Sequence, residues 1–302
     1  MRSEKSDFLT RRALSLFLTV GAVLFSCLVA FPARAEEDGD GGLRIMTFNI
    51  RTISPRDGKD IWFNRRKEVA KLIQGHEPDI AGLQEVTHVQ LKHLEEDLPG
   101  YKWFGLARDD GKDAGERCPI FYKPDVVEVL EQGTFWLSET PEKPGSISWD
   151  SVCRRIATWA LFKEKKTGQS FCFMNTHFDH VGKEAREESA HLVRGWLTEK
   201  AYQIPAILVG DFNCVDRSVA YQTLASYFND AREVTDTPPK GPEGTTRPFF
   251  LTSKPGRRID YIFVSEEVKA LEYAVLDDTY GEEKRRPSDH MPVLVVATLL
   301  AG

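Results

Sequence analysis

The sequence predicts an α/β or α+β protein with two sheets, and three features of the chain support this prediction. Short apolar runs typical of buried strands alternate with longer segments whose apolar residues recur about every 3.6 positions, as in amphipathic helices. No Gly/Ser-rich or Pro-rich linker divides the chain after residue 43, and no internal repeat is present. A chain of 302 residues is long enough to bury a large core. We therefore predict one domain over residues 43–302.

The elements follow one another in a regular order. Residues 63–74, 89–98, 183–202 and 218–228 have helical apolar spacing, whereas residues 43–50, 80–83, 171–180, 204–209 and 257–264 have the composition of buried strands. Two long segments, 235–247 and 277–287, have no regular pattern. Such loops often contact substrate, although a solvated turn is the preferred interpretation of residues 235–247.

The first 35 residues are typical of a secretory signal peptide. Basic residues precede an uncharged stretch from Ala13 to Phe31, and Ala33-Arg34-Ala35 provides a small-x-small cleavage pattern. We expect cleavage after Ala35, export to the periplasm or the medium, and no stable membrane insertion afterwards. The alternative is an uncleaved anchor, because a stretch of this length can just span a bilayer. Residues 36–42, which are polar and rich in glycine, are expected to form a flexible leader.

The mature chain is predicted to be acidic. Cleavage would remove five basic and two acidic residues, which changes the formal net charge from −6 to −9. Proteins that bind long nucleic acid usually carry a basic stripe, so this balance argues against such a partner.

Polar residues occur where the predicted strands meet water. Phosphate ester cleavage needs a hard cation, an activated water and donors for the charged oxygens, and these residue types can supply all three. Six positions share this placement: Asn49, Glu85 in Leu83-Gln84-Glu85-Val86, His177, Asp211 with Asn213 in Gly210-Asp211-Phe212-Asn213, Asp260, and Asp289 with His290 in Ser288-Asp289-His290-Met291-Pro292.

In this order and with this chemistry, the six segments resemble the endonuclease/exonuclease/phosphatase superfamily. The resemblance covers residues 43–300, and six motifs in the family's order are a specific signal. It implies a four-layer sandwich of two packed mixed β-sheets with helices on the outer faces. It also implies a divalent-metal-dependent hydrolase of phosphate esters, with Mg²⁺ as the expected cofactor and Mn²⁺ as the alternative.

The resemblance assigns a role to each polar position. Glu85 is the leading metal ligand, with a surface glutamate as the alternative, and Asn49 and Asp289 are supporting ligands, directly or through water. Asp211 should act on the attacking water as base or orienting acceptor. The remaining roles are donation to the phosphate by Asn213, contact with the scissile phosphate by His177, and orientation of His290 by Asp260, which should also raise the pKa of that imidazole.

Three basic pairs or runs lie next to these positions, at residues 154–155, 257–258 and 284–286. Each could focus positive charge on the cleft, but a salt-bridged surface is the preferred interpretation of each one alone. Arg155 is the best candidate for substrate contact, and Arg186, on the helix after His177, is the second. Core packing is the preferred role for Trp136.

Four cysteines remain after cleavage, which permits two disulfides. Cys118 with Cys153 is the pair to test first. Cys172 lies within a strand pattern and is expected to be a small buried apolar residue.

These features favour an exported phosphoesterase that hydrolyses a small phosphomonoester or phosphodiester, such as a sugar phosphate or nucleotide, by in-line attack of water. We expect a monomer. The second hypothesis is an extracellular endonuclease or exonuclease, and the third is a sphingomyelinase-like phospholipid phosphodiesterase, for which residues 248–251 are the only apolar candidate near the cleft. A binding module that lost its chemistry is disfavoured, because all six positions carry competent residue types.

Overall fold

The computed structural model describes residues 41–201, 204–250 and 256–300. The predicted signal peptide and residues 36–40 of the predicted leader lie outside the described residues. Among the helices of the described segments, none combines the length and the apolar character that a membrane crossing requires.

The described residues form twelve strands and five α-helices. The strands are β1 (Leu43–Asn49), β2 (Ile80–Gln84), β3 (Lys102–Phe104), β4 (Ile120–Tyr122), β5 (Val127–Trp136), β6 (Ile156–Glu164), β7 (Ser170–His177), β8 (Ala206–Asp211), β9 (Asn229–Asp230), β10 (Asp260–Val264), β11 (Val268–Val275) and β12 (Val293–Leu299). The helices are α1 (Trp62–His76), α2 (His88–Asp97), α3 (Lys183–Lys200), α4 (Val219–Ala225) and α5 (Ala231–Val234), and a 3-10 helix (Pro55–Asp60) precedes α1.

The strands form two mixed sheets of six. The first has the order β11-β12-β1-β2-β4-β3, and the second has the order β5-β6-β7-β8-β10-β9. In the first sheet β1 is parallel to β2 and antiparallel to β12, whereas in the second β7 is parallel to β8 and antiparallel to β6. The predicted sandwich of two packed mixed sheets is confirmed.

Alternation along the central strands creates the layers. In β1, Ile45 packs between the two sheets, whereas Met46 and Phe48 pack with residues of α1 and α2 on the outer face. In β7, Phe173 belongs to the core between the sheets and Cys172 packs toward α3 and α4. Each central strand therefore contributes to two cores, which explains why its sequence is apolar on both faces.

A polar contact joins the sheets within this apolar interior. Asn175 on β7 donates hydrogen bonds to two backbone carbonyls, including that of Leu83 at 2.8 Å, and accepts one from Gln84 Nε2 at 2.7 Å. Gly82 permits this approach, because a Cβ there would lie 2.5 Å from a methyl of Val209. Glycine at this position thus sets the close spacing of the sheets near the site.

The predicted helices are present with small shifts at their ends. The segment predicted over 218–228 is shorter, because α4 covers only Val219–Ala225. The strand predicted over 171–180 ends at His177, so His180 lies in the following loop. Trp136 is 2% exposed, which confirms its predicted place in the core.

The described cysteines form no disulfide in the structure. Cys118, Cys153, Cys172 and Cys214 are all free thiols. Cys118 and Cys153, the pair to test first, are therefore not bridged here, and the large apolar clusters on both faces of each sheet account for a fold that needs no cross-link. Cys172 is 1% exposed, as predicted.

Candidate active site

Strand pairing brings the predicted polar positions to one end of the sandwich. Within the second sheet, Asp211 lies opposite both His177 on β7 and Asp260 on β10. Within the first sheet, Asn49 lies opposite Gln84, which directly precedes Glu85. The two sheets therefore present their polar ends at the same edge.

Asn49 connects the polar residues at the end of the first sheet with those at the end of the second. Its Nδ2 donates to Glu85 Oε1 at 3.0 Å and to Asp211 Oδ2 at 3.0 Å, so one amide bridges carboxylates from different sheets. Its side-chain oxygen Oδ1 accepts from the Arg51 N–H at 2.9 Å. An aspartate here would bring a third negative charge and no donor.

Glu85 is held as an anion. Its backbone has a φ of 62°, a conformation uncommon for a residue other than glycine. Burial raises the pKa of Glu85, but the hydrogen bonds from the Thr52 N–H (2.8 Å) and Asn49 and the charge of His290 outweigh burial, so the pKa lies below its usual value.

Asp289 lies at the rim of the site, near the guanidinium of Arg51, a residue that the sequence analysis did not single out. Arg51 Nη1 is 3.7 Å from Asp289 Oδ2, and Arg51 Nη2 is 3.0 Å from Asp57. Burial raises the pKa of Asp289, and the nearby Glu85 raises it further. Arg51 thus offsets part of the negative charge that accumulates on this side of the cluster.

His290 and Asp260 form the expected pair. His290 Nδ1 lies 2.9 and 3.1 Å from the two oxygens of Asp260. Burial lowers the pKa of His290, but the charges of Asp260 and Asp211 raise it well above its usual value, so the imidazole is cationic. Thr245, which is fully buried, donates to Asp260 Oδ2 at 2.5 Å. The loop of residues 235–247 is therefore not the simple solvated turn preferred from sequence.

His177 differs from His290 in its charge. It is 4% exposed, its Nε2 lies 3.0 Å from Asn213 Nδ2 and 3.4 Å from Asp211 Oδ2, and burial together with the charge of Arg155 lowers its pKa well below the usual value. His177 is therefore neutral and accepts from the Asn213 amide. Among the described contacts, the role of His177 is to hold the Asn213 side-chain amide in place.

Asp211 lies at the centre of the cluster. Its Oδ1 accepts from the Asn213 N–H at 3.0 Å, and its Oδ2 is 3.8 Å from His290 Nε2. Burial and repulsion from Asp260 raise the pKa of Asp211 to about 7. A buried carboxylate with this pKa is suited to accept a proton near neutral pH.

The two predicted substrate arginines both lie next to Asp179, with Arg155 Nε 3.8 Å from its carboxylate and Arg186 at its backbone carbonyl. Arg155 is 5% exposed, its Nη2 is 3.1 Å from His180 Nδ1, and its buried Nε has no hydrogen-bond partner among the described residues. Arg186 donates to the Asp179 carbonyl at 2.9 Å and lines a cavity of about 380 Å³ that also contacts Asn213. The structure therefore places Arg155 near His177 and Arg186 beside Asn213.

The other basic residues at these positions have mostly structural partners. Arg258 pairs with Asp230 at 2.5 Å, and Arg286 pairs with Asp277 at 2.6 Å. Arg285 pairs with Asp60. The salt-bridged interpretation therefore holds for these three arginines but not for the exposed Arg257.

Two groups of side chains have the spacing of metal ligands. One donor atom each from Asp211, Asp260 and His290 lies within 4.8 Å of the others, and the same holds for Cys153, Asp179 and His180. In the second group Asp179 already accepts backbone hydrogen bonds from the loop 152–153 and from 181–182, which leaves it a structural role. In the first group Asp260 and His290 already pair with each other, and the three side chains could hold a metal ion.

A further set of donors, centred on Glu85, also fits a hard cation. Glu85 is anionic, Asp289 is beside it, and Asn49 contributes an amide. Oxygen donors with one or two carboxylates match the preference of Mg²⁺, which keeps several waters. The residues present therefore fit a divalent cation at Glu85.

Arg65 holds the segments that carry this side of the site. It is fully buried and donates to the carbonyls of Ile50 (2.5 Å), Arg51 (2.6 Å), Asp60 (2.9 Å) and Pro287 (3.0 Å). Sequence reasoning missed it, although its position on the apolar face of the predicted helix 63–74 was a usable signal.

Comparison with known proteins agrees with this geometry. The model of the endonuclease/exonuclease/phosphatase family matches residues 46–290. The chain belongs to this family. It is therefore a metal-dependent hydrolase that acts on phosphate esters.

Two similar structures come from Bacteroides. The mannosyl-6-phosphatase of Bacteroides thetaiotaomicron is 41% identical with a TM-score of 0.81, over 85% of this chain and 100% of that one. A family member from Bacteroides vulgatus is also 41% identical with a TM-score of 0.81, over 86% of this chain and 100% of that one. Both alignments include nearly the whole described region.

More distant relatives share the fold. The catalytic domain of human nocturnin is 21% identical with a TM-score of 0.66, over 86% of this chain and 94% of that one. Rat nocturnin is 25% identical over 83% of this chain, which spans 63% of that relative's length.

Proposed function

We propose that this family member is an exported, Mg²⁺-dependent phosphatase that hydrolyses small phosphomonoesters of the sugar phosphate class. The observation that favours this substrate class is the 41% identity, over 85% of the chain, to a protein named as a mannosyl-6-phosphatase. The acidic net charge of −6 also favours a small substrate over long nucleic acid. Export is proposed from the signal-like residues 1–35, and Mn²⁺ is the alternative cation.

Glu85, with Asn49 and Asp289, would hold the cation. When bound, the cation provides Lewis acidity that stabilises negative charge on phosphate and leaving-group oxygens. The remaining steps belong to the protein's own side chains.

Asp211 is proposed to accept the proton of the attacking water. The water oxygen forms the new bond to phosphorus, the bond from phosphorus to the ester oxygen breaks in line, and the departing oxygen takes a proton from solvent water to leave as the alcohol. The cationic His290 donates to the phosphoryl oxygens, where charge is concentrated. The Asn213 amide donates to them once the phosphate replaces the Phe178 carbonyl, the second acceptor of that amide. His177 orients that amide by accepting its hydrogen bond.

Arg155 favours a monoester over a diester. A monoester can carry a second negative charge, so it benefits from an additional cation. Arg155 is nearly fully buried, and its charge is the largest electrostatic influence on the pKa of His177. Asp179, whose Oδ2 lies 3.8 Å from Arg155 Nε, offsets part of this charge, and burial limits the solvent screening of the remainder at the proposed phosphate position.

The phospholipid hypothesis has weaker support. Within residues 248–250 only Phe250 is an exposed large apolar side chain, at 55%, and Leu251 lies outside the described residues. Head-group hydrolases need a larger apolar surface beside the cleft.

A substrate panel tests the proposal. Phosphate release from hexose phosphates and nucleoside monophosphates, nicking of plasmid DNA and release of phosphocholine from lipid vesicles are compared with Mg²⁺ and with EDTA. We expect Mg²⁺-dependent release from a hexose phosphate as the fastest reaction, and a loss of about 10²-fold or more in Glu85→Gln and His290→Ala. Lys166→Ala, at an exposed turn between β6 and β7, is the control for charge loss. Plasmid nicking as the fastest reaction would overturn the proposal.

A further inference from the structure

A cavity of about 380 Å³ lies beside the proposed catalytic cluster, with Asn213 in its wall. Four basic residues line it, and the acidic residue in its lining is Glu187. The chain as a whole has a net charge of −6, so this is a local concentration of positive charge in an acidic protein. The basic residues are Lys183, Arg186, Arg217 and Arg257.

Two of these cations are available for a ligand. Arg217 and Arg257 are exposed, and within the described residues their guanidinium groups make no hydrogen bond or ion pair. Arg186 donates one hydrogen bond to the Asp179 carbonyl, and its guanidinium contacts no carboxylate among the residues that the structure describes. Arg258, which adjoins Arg257 in sequence, is by contrast paired with Asp230.

The rest of the lining is suited to an organic molecule. Ile259 and Ala220 are buried, and the more exposed Val215 and Val219 extend the apolar surface. A volume of this size falls within the range of small-molecule sites, about 300–1,000 Å³. An apolar wall with guanidinium groups at its rim can hold a carbon skeleton that carries an anionic group.

We propose that this cavity binds a second phosphate group on the substrate, so that the preferred substrates are sugars with two phosphates. The inference rests on the proposed phosphatase function. The phosphate to be cleaved contacts Asn213 and His290, and the second one contacts Arg217 and Arg257. Guanidinium groups donate two parallel hydrogen bonds to phosphate oxygens, which makes arginine well suited to this position.

The test compares kcat/KM for a hexose bisphosphate and for the corresponding hexose monophosphate. We expect the wild-type enzyme to prefer the bisphosphate by about 10-fold or more, because hydrogen bonds to charged groups have effects of this size. The double variant Arg217→Ala/Arg257→Ala should bring the ratio close to unity. Lys166→Ala should keep the wild-type ratio. A hexose phosphate with a terminal carboxylate forms a third arm, and an equal preference for it would overturn the assignment to phosphate in particular.

Two further measurements keep the result interpretable. Arg217 and Arg257 are exposed, so circular dichroism and the melting temperature should match the wild type, and Arg217→Gln/Arg257→Gln repeats the test with side chains that remain polar. Equal kcat/KM for both substrates in the wild type, or an unchanged preference in the double variants, would overturn this inference. The proposed phosphatase function would still stand in that case if the monophosphate releases phosphate. Plasmid nicking without release from either sugar would instead overturn the phosphatase itself.

Discussion

Thr245 controls the position of Asp260 and, through it, of His290. Its hydroxyl donates to the Asp260 carboxylate at 2.5 Å and accepts from the N–H groups of Ile259 and Asp260 at 3.1 and 3.2 Å. The side chain that orients the cationic imidazole is thus itself fixed by a buried hydroxyl. Thr245 is a positioning residue, since it touches no reacting atom in the proposed mechanism.

Removal of this hydroxyl should impair catalysis. In Thr245→Val the Asp260 carboxylate loses a donor, so we expect kcat for a hexose phosphate to fall by about 10-fold or more. Thr245→Ser keeps the hydroxyl and should restore most of kcat. Thr246→Val is the matched control, because the Thr246 hydroxyl contacts only backbone atoms of Arg257 among the described residues. Equal kcat in the Val and Ser variants at position 245 would contradict the positioning role.

The sequence identified the polar residues at the strand ends but not those that fix them. Asn49, Glu85 and Asp211 were predictable because each carboxylate or amide lies at the end of an apolar run. Thr245 and Arg51 were not predictable, because a threonine in a Pro/Gly-rich loop and an arginine after a strand have no pattern that separates them from surface residues. Their positions depend on loop conformations, which involve contacts distant in sequence.

At the level of elements, the distance between the two sheets depends on a glycine, Gly82, which has no side chain at a point of close contact. Gly82 on β2 faces β7 and β8, and a Cβ there would lie 2.5 Å from Val209 and 2.8 Å from Asn175. Real Cβ atoms are not found this close to other heavy atoms, so the side chains of Val209 and Asn175, or the sheets that carry them, would have to shift.

Gly82→Ala should destabilise the fold by about 1–3 kcal/mol, the usual cost of overpacking a core. Gly75→Ala is the matched control, because Gly75 lies in α1, a Cβ there would meet nothing within 4 Å, and alanine favours helix by about 1 kcal/mol. Urea unfolding measures both free energies. A Gly82→Ala protein as stable as the wild type would show that the sheets can separate without cost.

Helices α1 and α2 are joined by charged groups. Asp97 at the end of α2 accepts from Arg66 at 2.9 Å and from Lys67 at 2.5 Å, and the hydrogen bond from Arg66 is the largest influence that lowers the pKa of Asp97 below its usual value. The Asp97 side chain is 3% exposed, whereas that of Lys67 is 65% exposed. Solvent therefore screens part of this interaction.

Stability should depend on pH through Asp97. Its pKa is lower in the folded state, so its contribution is present above the unfolded pKa of about 3.9 and is lost as the pH falls through the folded value. Asp97→Asn should cost about 1 kcal/mol at pH 7, and the difference from wild type should shrink below about pH 4 in urea unfolding. Glu96→Gln, at a 67% exposed carboxylate, should change stability by less than about 0.5 kcal/mol. A difference that stays constant with pH would contradict the assignment.

Elements with strong periodicity were predicted well. The segments 63–74 and 89–98 correspond to α1 and α2, because the apolar faces that bury against the first sheet also create the helical pattern. Short edge elements such as β9 and α5 were not predicted. Two or four residues give too little pattern. The conformation of β9 depends on its pairing with β10, and α5 is capped at its N-terminus by Asp230, whose side chain accepts from the Arg232 N–H.

For the molecule as a whole, the free thiols imply a fold that does not depend on oxidation. Addition of dithiothreitol should leave the melting temperature within about 2 °C, whereas loss of a native disulfide typically costs about 2–5 kcal/mol and would lower it by more. The double variant Cys118→Ser/Cys153→Ser should show the same insensitivity to the reductant. A clear drop in melting temperature of the wild type alone would mean that the two cysteines pair.

The pairing of β1 with both β2 and β12 has a consequence for synthesis. Asn49 lies near the beginning of the described chain and His290 near its end, and Arg65 bonds to Pro287, 222 positions away. A nascent chain whose residues 293–299 have not yet left the ribosome cannot pair β12 with β1. The enzyme can therefore gain activity only after β12 has emerged.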